Sequence, residues 1–294
     1  MCLVPLLAPV VLITAGCVHN TRKAADATVD RRAPDARRAP DARRAPDAPA
    51  ETNVELTVVV DNNRARPTLA TGWGFACVVA GLKQTVLFDT GMSGSALLGN
   101  LKRLSIAPEK IDLVVLSHDH QDHTGGLAAL VRKRPGSRVC LLSSFRPAVK
   151  KIARRGAKRQ VIEIGAAPVE LLAGVHSLGA MGKQVPEQAL AVVTARGVVV
   201  ITGCSHPGVV EIVRRARQTL RREILLVIGG FHLINATQAR IAAIVDELHG
   251  LGVRYVGPSH CTGDRARAAF RSRFGARVLD VGAGTVIRTA DLKL

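Results

Sequence analysis

From Val54 onward, short runs of Val, Leu, Ile and Phe alternate with stretches in which apolar residues recur every three or four positions. VELTVVV, FACVVAG and TVLFDTG read as strands separated by turns. In SALLGNLKRLSI, Leu97, Leu98, Leu101 and Leu104 fall at helical spacing, and DLVVLSH follows as another strand. Thr124 is expected to cap a helix that begins at Gly125 and carries Leu127, Leu130 and Val131. The second half repeats the style, with LAVVTARGVVVITG as a hairpin, GVVEIVRRARQTLRRE as a helix and ILLVIGG as a strand. A further helix begins after Asn235, puts Ile241, Ile244, Val245 and Leu248 on one face and ends near Gly250, and VRYVGPSH follows as a strand. Strands and helices mixed in two comparable halves predict a layered α/β fold, sheets in the middle and helices outside.

The residues before Val54 break this pattern. MCLVPLLAPVVLITAGCVHN is apolar for the length of a signal-peptide core and ends in small residues before Cys17. It resembles a lipoprotein leader in which Cys17 is lipidated. No Lys or Arg precedes the apolar run and Thr14 stands where Leu is usual, so an uncleaved anchor or a misassigned start is the alternative. The unit RRAPDA is then read three times from Arg31 to Ala48. Its recurring proline blocks a regular helix, and it has no large apolar side chain to bury, so an extended, solvated linker is expected. The plan is a leader over residues 1–20, a disordered linker over 21–53 and one folded domain over 54–294. It implies export and a membrane contact through the lipid anchor, with a cytoplasmic location as the alternative.

Composition narrows the function classes. Hydrophobic residues make up 47% of the chain but aromatics only 3%, so the core is aliphatic and few rings are available to stack bases. The formal charge of +18 attracts anions whatever the fold. Because the 41 basic residues divide into 31 Arg and 10 Lys, a GC-rich coding sequence accounts for much of that charge. Basic clusters around Arg132 to Arg134, Arg146 to Arg159 and Arg214 to Arg222 keep an anionic small-molecule substrate open, and nucleic acid is not expected. Cysteine spacing shows no disulfide framework. Cys77 and Cys140 lie in apolar runs and read as core thiols.

The polar clusters SHDHQDH, TGCSH, GGFHL and PSHCTG each follow an aliphatic strand, so their side chains can converge at one rim of a sheet sandwich. His118 and His120 are two apart and point the same way from an extended strand end, while Asp122 and His123 follow in the turn and can face a second point. One short loop can then serve two metal ions that share a water. Imidazole and carboxylate suit zinc, with Mn or Fe also compatible.

HDHQDHTGG resembles the signature loop of the metallo-β-lactamase superfamily, and FDTG at Phe88 to Gly91 resembles its upstream strand-end motif. The resemblance covers roughly Val54 to Leu294 and implies a metallo-β-lactamase-type αββα sandwich with a dinuclear site. TGCSHPGV, GGFHL and PSHCTG together resemble the branch named after 7,8-dihydropterin-6-methyl-4-(β-D-ribofuranosyl)-aminobenzene-5′-phosphate synthase. Carried over to this chain, the resemblance implies that His118, His120, Asp122 and His123 are metal ligands and catalytic residues. It further implies that His206 completes the first site and His260 serves the second. Where the superfamily supplies a bridging aspartate in a TGD stretch, this chain has Cys204. Either a Cys204 thiolate ligates metal, or it stands aside while His206 does the work, and a mononuclear enzyme is the further alternative. Asp89 is expected to orient a ligand histidine. His232 either lines the pocket or binds metal, with a satisfied buried histidine as the alternative, and Cys261 supports the site beside His260, with metal ligation as its alternative. His176 is expected in a loop, and His19 and His249 read as background.

The expected chemistry is metal-assisted hydrolysis of an ester, amide or phosphodiester. One alternative is the branch's own reaction, joining a pterin to an aminobenzene ribofuranosyl phosphate, to which an exported enzyme has poor access. Others are a phosphodiesterase or nuclease that uses the basic surface, and a surface protein that only binds metal.

Overall fold

The aliphatic runs become strands that pair into two sheets. The computed structural model describes residues 53–155 and 160–293. The expected leader with Cys17 and His19, and the expected 21–53 linker up to residue 52, lie outside the described residues. Strands β1 (Glu55–Val60), β2 (Ala76–Ala80), β3 (Thr85–Phe88), β4 (Ile111–Val115), β5 (Arg138–Leu142) and β6 (Val161–Ile164) enter the first sheet. The second holds β7 (Val169–Leu172), β8 (Val175–Ser177), β9 (Leu190–Thr194), β10 (Gly197–Thr202), β11 (Ile224–Gly230) and β12 (Tyr255–Ser259). Strand β13 (Val286–Arg288) returns to the first, giving a seven-stranded sheet in the order β13-β1-β2-β3-β4-β5-β6 beside a six-stranded sheet ordered β12-β11-β10-β9-β8-β7.

Alternation along the strands sorts the core into two apolar clusters. On β10, Val199 and Ile201 join Leu56, Val58, Phe88 and Val115 of the first sheet in the cluster between the sheets. Val198 and Val200 face the other way, into a cluster completed by α5 (Val209–Leu220), α6 (Gln238–Gly250) and α7 (Asp264–Phe274). Helices α1 (Gly94–Arg103) and α3 (Leu127–Lys133) bring Leu97, Leu101, Leu127 and Leu130 to the first sheet. The order of layers is helix, sheet, sheet, helix, as expected. Cys77 and Cys140 are both fully buried in the inter-sheet cluster.

Local details depart from the sequence reading. Thr124 does not cap a following helix; it ends the short helix α2 (Gln121–Thr124), and its hydroxyl donates back to the His120 carbonyl at 3.0 Å. Helix α3 is instead preceded by Gly126 with no side-chain cap. His176 is not in a loop but in β8, buried, with Nε2 lacking a hydrogen-bond partner. No described helix is long and apolar enough to cross a membrane.

Strands β3 to β6 run parallel, as do β10, β11 and β12. In such sheets ligands bind beyond the carboxyl ends of the strands. Asp89 follows β3, the 116–123 loop follows β4, Cys204 and His206 follow β10, His232 follows β11 and His260 follows β12. The topology delivers every histidine and cysteine of the four polar clusters to one rim.

Candidate metal centre

Asp89 organises the loop after β4. Its Oδ1 accepts the Ser117 backbone N–H, and its Oδ2 accepts both the Ser117 hydroxyl and His123 Nδ1–H, each at 2.7 Å. With its proton given to Asp89, Ser117 Oγ can only accept from His118 Nδ1–H, 2.9 Å away. The carbonyl oxygen of Asn62 takes the same role towards His260 Nδ1 at 2.9 Å. All three rings are thereby held by a donating Nδ1–H, which turns Nε2 towards the centre.

Two donor sets result. In one, Asp122 Oδ2 lies 3.3 Å from His123 Nε2 and 3.3 Å from His260 Nε2, and Cys204 Sγ lies 3.3 and 3.4 Å from the same two nitrogens. A tetrahedral ion with ligands at roughly 2.0–2.3 Å separates its donors by roughly 3.3–3.6 Å, so these four atoms have the spacing of a coordination shell. In the other, His118 Nε2 and His120 Nδ1 are 3.1 Å apart, and the His206 ring stands 4.8 and 5.0 Å from theirs, nearly perpendicular to both. His206 Nε2 is buried without a hydrogen-bond partner, as a lone pair kept for a ligand would be. Donor atoms of His118, Cys204 and His206 also fall within 4.8 Å of one another, so Cys204 belongs to both sets. Both sets fit divalent ions.

Electrostatics follow from this crowding. Burial and the neighbouring His123, His206 and His120 push His118 far below the usual imidazole range, and burial with its neighbour His232 takes His206 down to about 4. Burial would also lower His123, but Asp89 and Asp122 push it up to about 10. Burial opposes ionisation of Asp122, yet its hydrogen bonds with His123 and His260 hold it well below the carboxylate range. The neighbouring sulfurs of Cys204 and Cys261 act on each other, which raises Cys204 and lowers Cys261. Backbone strain collects here too. Of the six non-glycine residues with positive φ among the described residues, Asp89, Ser205, His232 and His260 are at this rim.

Several residues that build the site were not read from the sequence. Glu187, wholly buried, accepts the backbone N–H groups of Gly203, Cys204 and Ser205 on Oε1 at 2.9–3.1 Å and of His206 on Oε2 at 2.8 Å. Burial pushes its carboxyl up to about 7, against the pull of those N–H groups. Gly203 lets the two ligand loops touch, because a Cβ there would stand 2.2 Å from Ser117 Oγ. Asp119, between His118 and His120, accepts Arg146 N and Nε at 2.7 and 2.8 Å. At the mouth, the exposed Trp73 ring lies 4.9 Å from that of His260. A cavity of about 320 Å³ beside it is lined by Asn62, Ile234, His260, Arg265 and Arg267, among others. Trp73 is the chain's single tryptophan, a signal that was available; Glu187 sits in an irregular stretch and gave none.

The structure brings together Asp89, His118, His120, Asp122, His123, Cys204, His206, His232, His260 and Cys261. His249 lies apart, against Phe274.

Comparison with known proteins shows the family of the chain. Residues 74–218 match the sequence profile of the Metallo-beta-lactamase superfamily. The chain is 30% identical to the 7,8-dihydropterin-6-methyl-4-(beta-D-ribofuranosyl)-aminobenzene-5'-phosphate synthase of Methanocaldococcus jannaschii, over 71% of this chain and 85% of the relative. Among solved structures it is similar to Tm1679, described as a metal-dependent hydrolase of the beta-lactamase superfamily, with a TM-score of 0.67, 28% identity, and coverage of 80% of this chain and 98% of that one. The fold is also shared with YhfI from Bacillus subtilis, at a TM-score of 0.60 and 18% identity, over 80% of this chain and 99% of that one. With its two sheets, its signature loop and this similarity to the synthase, the chain belongs to the metallo-β-lactamase superfamily, a superfamily of enzymes that typically bind divalent metals.

Proposed function

We propose that the protein is a metal-dependent hydrolase that acts on a small anionic ester, amide or phosphodiester with two divalent ions, zinc the leading candidate and Mn or Fe compatible. The observation that carries this reading is Cys204 Sγ, 3.3 and 3.4 Å from the imidazoles of His123 and His260 and within 4.8 Å of the donors of His118 and His206. One sulfur there can link both donor sets, in the role that an aspartate fills elsewhere in the superfamily. Ions bound in the two sets would supply Lewis acidity and bring the pKa of water to about 7.

The chain's own residues set the rest. Asp89, Ser117 and Asn62 hold three imidazoles by Nδ1 so that Nε2 faces inward. Asp122 brings Oδ2 within 3.3 Å of two imidazoles, and its carboxylate, held ionised, would orient the attacking water. Arg265 and Arg267 beside His260 offer cationic donors to an anionic substrate. Tm1679, described as a metal-dependent hydrolase, supports the reading by its 28% identity.

The test is turnover of generic esters, phosphodiesters and lactams by protein loaded with Zn2+ or Mn2+. Metal-dependent hydrolysis that falls on the order of a hundredfold or more in His118→Ala is expected; fully loaded protein that turns over none of them overturns the reading. The 30% identity to the Methanocaldococcus jannaschii synthase favours a second reading, transfer of an aminobenzene ribofuranosyl phosphate to a pterin, which product formation from those two substrates would reveal. Export with lipidation at Cys17 belongs to the first reading, and the mass of the mature N-terminus tests it.

A further inference from the structure

His232 and Cys261 stand outside the two donor sets but meet them at Cys204. The imidazole and the two sulfurs offer one donor atom each, all within 4.8 Å of one another. Both sulfurs are buried and neither is in a disulfide. Cys261 Sγ contacts the Cys204 carbonyl at 3.6 Å. His232 is exposed, held at φ +52°, and its ring packs against His206 with centroids 4.4 Å apart. The fold also clears space for the sulfur. A Cβ at Gly230 would lie 2.7 Å from Cys261 Sγ and 2.5 Å from the Gly203 carbonyl oxygen, so only glycine lets these three segments meet. The core thiols are different: Cys77 and Cys140 are enclosed in the inter-sheet cluster, where burial pushes both up to about 12.

Two sulfurs and one imidazole make the Cys2His arrangement that suits a thiophilic ion. The Asp122, His123 and His260 donors suit a harder one. We propose that Cys204, His232 and Cys261 form a metal-binding set of their own, which takes a thiophilic divalent ion such as Cd2+ through two thiolates and one imidazole. The set shares Cys204 with the hydrolase site but does not depend on hydrolysis.

Metal-free full-length protein is titrated with Cd2+ while the ultraviolet sulfur-to-cadmium charge-transfer absorbance is followed. Cys2 and Cys17 are present in every variant and cancel in the differences. Relative to wild type, Cys261→Ser and Cys204→Ser should each lose one thiolate's share of the band. His232→Ala should keep the band but move its midpoint on the order of tenfold or more towards higher Cd2+, as loss of one of three ligands requires. Gly230→Ala, which keeps all three ligands but crowds Cys261, should move the midpoint the same way. A Cys261→Ser band equal to wild type overturns the proposal, as does an unmoved midpoint in His232→Ala or the absence of any band in wild type. Thermal melting without metal identifies a variant that fails to fold, and His232→Ala, at an exposed position, carries the test if Cys261→Ser does. Failure of the hydrolase reading would instead appear as absent Zn2+- or Mn2+-supported turnover with the Cd2+ differences intact.

Discussion

Two buried carboxylates, Asp89 and Glu187, hold the two ligand-bearing loops, and they do it differently. Asp89 holds the loop after β4 largely through side chains, taking the Ser117 hydroxyl and the His123 ring besides one backbone N–H. Glu187 holds the loop after β10 through backbone alone, accepting consecutive N–H groups from Gly203 to His206. The first arrangement orients a ring, and the second fixes the path of a peptide. Asp89 should therefore matter most to metal affinity, and Glu187 to whether the loop exists at all.

Replacing Glu187 gives the largest expected effect. Glu187→Ala leaves four buried N–H groups without their acceptor, and at about 1–3 kcal/mol for each unsatisfied group the loss in urea denaturation should reach on the order of 4 kcal/mol. A loss below about 1 kcal/mol would break the comparison, because it would mean the loop keeps its path unaided.

Asp89→Asn removes the charge behind His123, and zinc affinity measured by competition with a chelator should fall about 10–100-fold while stability changes less than in Glu187→Ala. The reverse ranking would contradict the division of labour. Arg146→Ala cuts an exposed, solvent-screened clamp on Asp119, so the loss of stability should be smaller than in either carboxylate variant. A few-fold change in zinc affinity at that position would show that the clamp also aims His118 and His120.

The smallest effect is a pH slope away from the site. Burial lowers the His176 pKa, against the opposing pull of Glu170. Below about 6.5 the unfolded chain takes up a proton that the folded chain refuses, so stability should fall as pH drops through that value and down to the depressed folded pKa. His176→Leu should flatten this slope in denaturation curves recorded between about pH 7.5 and pH 5. An unchanged slope would assign the acid sensitivity to other groups.

The same contrast explains what could be read from the sequence. Strands such as β4 and β10 announce themselves by continuous aliphatic runs, and a ligand cluster placed just beyond a run carries both its chemistry and its position. Asp89 was readable because FDTG closes such a run. Glu187 was not, because it lies in the irregular 180–187 stretch, and nothing local marks a carboxylate whose partners are backbone N–H groups from residue 203 onward. Helix α7 escaped notice because only Ala266, Phe270 and Phe274 of its eleven residues are buried, among four arginines. His176 read as a loop residue because β8 is three residues long, too short for alternation to show. Thr124 looked like a cap because no pattern separates a four-residue helix from the turn before a longer one. Cys204 could be placed between two roles from sequence, but its distances to both donor sets needed three strands in register.

Anomalous diffraction at the zinc edge from a zinc-loaded crystal locates the ions relative to Cys204. One peak should lie among His118, His120 and His206, a second among Asp122, His123 and His260, with the Cys204 sulfur between them. No peak in one of these sets, or two peaks with the sulfur turned away from both, would contradict the linked two-set site.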